Sequence, residues 1–229
     1  MKRMLINTFV IAAIIAGVVS CKGEKEEKKT ETEVTTVEEV KEEKIKSATT
    51  KYKVDTANSV INWVGSKPGE KHTGTLNLSS GVMKIGESIS GTFLIDMNSL
   101  TVTDLTAEKG KANLEGHLKG SAKANQDHFF NVAKFPTAAF EVTGVSEKDG
   151  KKMMEGNLTI RGIKKNISFS FSYGTGIDGS VLELKSEPFT INRTDWGVNY
   201  GSKSIFNDLG DKFISDDIEL TIMIKANKA

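Results

Sequence analysis

The chain has 229 residues but only one cysteine, three histidines and three prolines. It also lacks an apolar run as long as the roughly 20 residues that a bilayer core requires. A lone cysteine excludes an internal disulfide framework. No pair of histidines has the four-residue helical spacing or the Cys/His pattern of a metal site; whether they converge in space is left to the fold. Excess charge of either sign is missing too. The 31 Lys and Arg against 30 Asp and Glu leave a net charge of +1, which argues against nucleic acid as a main partner. No nucleophile elbow, phosphate-binding glycine loop or paired-carboxylate motif occurs, and Gly174-Thr175-Gly176 reads as a turn. Nothing in the sequence favours an enzyme.

What is present divides the chain into three parts. Residues 1–20 begin with Lys2 and Arg3, continue through an apolar stretch from Leu5 to Ala16, and end in small residues. That is the pattern of a secretory signal, and Asn7 and Thr8 shorten it further as a membrane span. Val18-Val19-Ser20-Cys21 resembles the lipobox of bacterial lipoproteins, which implies a diacylglycerol on Cys21 and a lipid-anchored place in the bacterial cell envelope, periplasmic or surface-facing. One acyl chain binds membranes only marginally, whereas two or more anchor stably. Residues 21–50 are almost entirely Lys, Glu, Thr and Val, so they cannot bury enough apolar surface to offset their ordering entropy. A flexible charged tether is expected, with a transient helix from Val34 to Lys46. Lys25-Glu26-Glu27 resembles an export signal of some surface lipoproteins of the Bacteroidetes group, and a plain spacer explains it equally well.

Residues 51–229 form the expected folded domain, long enough for a substantial core. Scarce proline, 21 glycines in the chain and frequent apolar–polar alternation point to antiparallel strands joined by short turns. Phe93 and Ile95 share one face; Phe140, Val142 and Val145 mark a second strand. Leu158 and Ile160 lead through Arg161–Lys165 to Ile167, Phe169, Phe171 and Tyr173, whose alternate positions are serines. Leu182 and Leu184, then Phe189 and Ile191, continue the pattern, and Ile218, Leu220, Ile222 and Ile224 close it. With Tyr52–Val64 and Thr75–Ile85 these make about eight strands, a number that suits a closed barrel able to hold one ligand. From Thr103 to Asn131 the period of two disappears. Leu114 and Leu118 sit four apart, so a short helix or two is expected across one end, with Asp104 or Thr106 as cap.

Four runs together resemble the YceI-like family. They are Asp127–Phe140 (DHFFNVAKFPTAAF), Gly156–Lys165 (GNLTIRGIKK), Phe189–Val198 (FTINRTDWGV) and Ile214–Leu220 (ISDDIEL). The resemblance implies an all-β, eight-stranded antiparallel lipocalin-like barrel that binds polyisoprenoid or another long-chain lipid. Two departures, His128 within the Asp-Phe-Phe run and a longer Lys119–Asn125 stretch, bear on ligand choice more than on fold. Arg193 and Asp195 in the third run read as a structural ion pair or turn.

The leading expectation is a carrier of an isoprenoid or fatty-acyl amphiphile that needs no cofactor. Phe93, Ile95, Leu158, Ile160, Phe169 and Phe171 would line the tail, and Phe129 and Phe130 would close one end. Burying about ten methylenes contributes roughly 8 kcal/mol, against several kcal/mol of lost freedom on association. The same periodicity also fits a filled barrel, a solid scaffold that binds partners through an outer loop such as Ser66–Thr73. Whether barrels pair as homodimers is left open.

Overall fold

The computed structural model describes residues 48–229; the expected signal segment, Cys21, most of the expected tether and its expected transient helix lie outside the described residues. Ten strands follow in order: β1 (Thr50–Val54), β2 (Val60–Lys67), β3 (Glu70–Ile85), β4 (Ile89–Val102), β5 (Thr137–Lys148), β6 (Lys151–Ile160), β7 (Ile163–Thr175), β8 (Val181–Ser186), β9 (Phe189–Asn192) and β10 (Asp217–Lys228). Each pairs antiparallel, and β10 pairs with both β2 and β8, so the sheet closes on itself. The ring β2-β3-β4-β5-β6-β7-β8-β10 has eight members. The chain is therefore an all-β antiparallel barrel of the lipocalin-like kind.

Two short strands account for the rest of the ten. Asp55 breaks the expected Tyr52–Val64 strand in two, because its carboxylate accepts from the N–H groups of Ala57 and Asn58 and tightens the chain into a 3-10 turn. β1 then takes the place between β10 and β3 where β2 has ended, with Tyr52 opposite both Lys228 and Met83. Pro188 stands between β8 and β9, and a proline cannot donate to the ladder. Beyond it β9 continues along β10, pairing Ile191 with Ile218. One strand position is thus served by two pieces on each side of β10.

Alternation sets what points inward. On β7, Phe169 and Phe171 are buried while Ser168 and Ser172 are exposed. Register then stacks apolar side chains in layers: Phe93 pairs with Phe140, and Phe140 with Leu158. Arg161 and Gly162 turn the chain at φ 50° and 77°, so the hairpin is a tight two-residue turn and β7 resumes at Ile163, earlier than the expected Arg161–Lys165 connection.

Between β4 and β5 lies the helical interruption. Helix α1 (Lys111–Lys119) and a 3-10 turn at Lys123–Asn125 occupy it. Neither Asp104 nor Thr106 caps α1; the cap residue is Gly110, with no side-chain bond. The Asp104 carboxylate is engaged elsewhere, by His72 Nδ1 and the Thr73 N–H. The helix is moored to the barrel instead by Glu115, whose carboxylate accepts the Val102 N–H at 2.8 Å, and by Phe130 and Val132, whose N–H groups reach Leu118 and Lys119 carbonyls. Leu114 and Leu118 pack on a cluster of Trp63, Leu100 and Val102, which puts the helix over one end of the barrel.

Candidate functional site

Beneath α1 the inward side chains leave space. A cavity of about 290 Å³ opens there, near the lower end of the roughly 300–1,000 Å³ typical of ligand sites. Its walls are Ile61 and Trp63 from β2, Leu76 from β3, Ile95, Met97 and Leu100 from β4, and Leu158 and Ile160 from β6. Leu114, His117 and Leu118 of α1 and the following Phe129 and Phe130 form the cap. Polar side chains gather at one rim, where Ser66, Lys67, His72 and Ser215 meet. Aliphatic walls with a polar rim can hold an apolar chain and leave a head group in water. Carbohydrate or nucleotide would find almost no partners inside.

The candidate residues read from the sequence divide among three locations. Ile95, Phe129, Phe130, Leu158 and Ile160 border this cavity. Phe93 and Phe169 border a second, deeper one of about 70 Å³. Phe171 borders neither cavity; it is buried beside Tyr173, the ring centroids 6.0 Å apart. The expected outer loop Ser66–Thr73 is not a loop, since only Pro68 and Gly69 turn between β2 and β3 and Ser66, Lys67 and His72 face the rim.

Trp63 was not among the candidates, yet it forms much of the wall. A Cβ on Gly74, its cross-strand partner, would sit 2.3 Å from the indole and 2.0 Å from the Thr101 carbonyl. Only glycine lets the ring lie flat there. The indole N–H is buried without an acceptor among the described residues, a local cost of about 1–3 kcal/mol. Alternation from Ile61 and the facing glycine were the signals that could have found it.

The turn after β9 is pinned by Arg193, only 2 % exposed. Its guanidinium donates to the carbonyls of Val198, Ile214 and Ser215 and lies 3.5 Å from Asp216. The expected partner Asp195 is exposed and is not the one used; the 214–216 segment brings Asp216 to the buried guanidinium instead. Trp196 donates its indole N–H to Leu158 O at 3.1 Å and fixes that turn against β6. Burial works against ionisation of Asp216, yet hydrogen bonds from Ser202 and Ser204 and the charge of Arg193 hold its carboxyl below the usual range. Asp104 behaves alike, with burial outweighed by the Thr73 N–H and His72.

Two of the three histidines converge, as a pair and not as a metal cage. His117 Nε2 lies 2.8 Å from His128 Nδ1, and His128 stacks on Tyr200 with centroids 3.9 Å apart. His128, a departure from the family run, thereby ties α1 to the segment after it. Burial, and then the charge of His128, push the His117 pKa down. His72 stands apart, its two ring nitrogens 3.0 and 2.9 Å from Glu70 and Asp104. Among the described residues no group of three or more His, Cys, Asp or Glu could hold a metal ion.

A closed antiparallel barrel with an apolar hollow under a helical cap defines the class of internal-cavity β-barrels. The chain belongs to the YceI-like domain family, which it matches over residues 52–226. It is 25% identical over 134 residues to a UPF0312 protein of Yersinia pestis, spanning 62% of that relative's length and 57% of its own. It is 24% identical over 150 residues to protein YceI of Salmonella arizonae, covering 61% of this chain and 70% of the other. Among solved structures, Burkholderia cenocepacia BcnA shares the fold with a TM-score of 0.59 at 18% identity, over 76% of this chain and 99% of that one. A polyisoprenoid binding domain from Saccharophagus degradans, implicated in plant cell wall breakdown, does so at 0.54 and 16%, over 78% and 98%.

Proposed function

We propose that this protein binds and carries, or sequesters, a long-chain amphiphile of isoprenoid or fatty-acyl type. The tail occupies the barrel and the head group stays at the rim beside Lys67 and His72. The observation that carries this reading is the apolar cavity beneath α1, lined by Ile95, Leu158, Ile160, Phe129 and Phe130. The polyisoprenoid binding of the Saccharophagus degradans relative supports it. The work is binding without chemistry, and no cofactor takes part. A scaffold with a solid interior is disfavoured by the same hollow.

In this reading the barrel is held at the cell envelope by lipid on Cys21, the tether giving it reach from the membrane. Native mass spectrometry and solvent extraction of the purified protein test the cargo, with an isoprenoid or fatty acid expected at one per barrel. Protein that is repeatedly empty and also fails to take up added isoprenoid or fatty acid overturns the carrier reading. Metabolic labelling with palmitate tests the anchor: label lost in Cys21→Ser supports it, and an unlabelled parent chain removes it.

A further inference from the structure

We infer that the barrel selects its guest by length and accommodates a chain of about three isoprene units, with longer tails gaining nothing from their extra carbons. This deepens the carrier reading and rests on it.

The large cavity occupies only the half of the barrel under α1. Ile61, Ile95, Leu158 and Leu220 border both the large cavity and the 70 Å³ one below it, so these four side chains form the partition between them. Under the partition the interior is aromatic. Phe169 stacks on Phe189 with centroids 4.4 Å apart and tilts against Phe140 at 5.6 Å. Below that, Tyr52, Met83, Leu182 and Ala226 are buried and seal the far end, where the Tyr52 hydroxyl donates to Gly179 O.

The depth follows from β2. It runs from Lys67 at the rim to Ile61 at the partition, a rise of about 20 Å along the strand and about 15 Å along a barrel axis tilted by roughly 40°. An extended farnesyl chain has about that length. A longer chain reaching the partition must fold back in the hollow or leave its remainder in water.

Both tryptophans of the chain, Trp63 and Trp196, border the large cavity, so intrinsic fluorescence reports its filling. Titration with geraniol, farnesol, geranylgeraniol and octaprenol tests the inference. Affinity is expected to rise by about tenfold or more from geraniol to farnesol, then to change by less than about threefold up to octaprenol. Leu158→Ala joins the two cavities and moves the break to geranylgeraniol, while Leu158→Phe moves it back to geraniol. Ile95→Ala serves in place of Leu158→Ala if that variant does not fold. A gain that continues through octaprenol in the parent chain, or a break that ignores these substitutions, overturns the length limit and leaves the carrier reading standing. Folded protein that binds no prenol but takes up fatty acid overturns the isoprene length limit alone, and folded protein that binds neither sinks the carrier reading itself.

Discussion

The two halves of this barrel obey the same alternation and differ in outcome. The half away from α1 is packed with Phe93, Phe140, Phe169, Phe171, Met83 and Leu182, all buried, and keeps a void of only about 70 Å³. The half beneath α1 presents mainly aliphatic strand positions, Ile95, Met97, Leu158 and Ile160, and its aromatic Trp63, Phe129 and Phe130 lie at the walls and cap. A ring of this size is just wide enough for side chains to fill. Large rings reaching across meet and leave little space; shorter branched chains leave more. Hollowness is therefore a matter of side-chain reach at matched register positions, not of more or less hydrophobicity.

Truncations sharpen that contrast, and the largest effect falls at the seam between turn and barrel. Arg193→Met leaves three carbonyls and Asp216 without their partner, so unfolding in urea is expected to lose about 3–5 kcal/mol. Phe169→Ala in the filled half should lose about 3–5 kcal/mol as well. Ile160→Ala, whose smaller side chain borders the larger void of about 290 Å³, should lose less than about 2 kcal/mol in the same assay. Equal losses at 160 and 169 would break the distinction between a hollow and a filled half.

Ligand acts on one half only. A prenol at one hundred times its dissociation constant should stabilise the protein by about 2.7 kcal/mol, read as a rise in thermal midpoint. At the same prenol concentration, the hollow-side substitution Ile160→Ala should reduce that rise and Phe171→Leu should preserve it.

The smallest effect is that of pH on the cap. The folded state holds the His117 pKa below its ordinary 6.5, first by burial and then through His128. Between that ordinary value and the lower folded one the unfolded chain binds the extra proton and the folded chain resists it. Stability is thus full above pH 6.5 and falls as pH drops through and below it. Urea midpoints measured on either side of that pH should show the fall in the parent chain and a weaker one in His117→Phe. Asp104 and Asp216 act in a separate, more acidic window. Their folded pKa values lie below the ordinary 3.8, so their contribution is present above it and lost as pH falls through their folded values.

Much of the fold was legible because a period of two is local. Ile218, Leu220, Ile222 and Ile224 could be assigned to one face of the last strand without knowing what it paired with. The interruption from Thr103 to Asn131 was legible for the same reason, and α1 lies inside it. The breaks at Asp55 and Pro188 were local too, yet the ring of eight hid them, since each broken strand fills one position. Site residues were less legible. Alternation separates inward from outward but not shallow from deep, so Phe93, Phe169 and Phe171 were grouped with Ile95 and Leu158 although they lie below the partition. Trp63, Met97 and Leu100 were missed because nothing along the chain states which inward positions face empty space.

The residues by themselves determined an antiparallel barrel, its helical interruption and membership of the YceI-like family, because strand periodicity and turn chemistry are encoded within a few neighbours. Closure through β10, the pairing of Arg193 with Asp216, the meeting of His117 with His128, and the confinement of the large cavity to one half were decided only by tertiary structure. Each of these depends on distances between segments remote in sequence, and void space is what remains after every side chain has been placed.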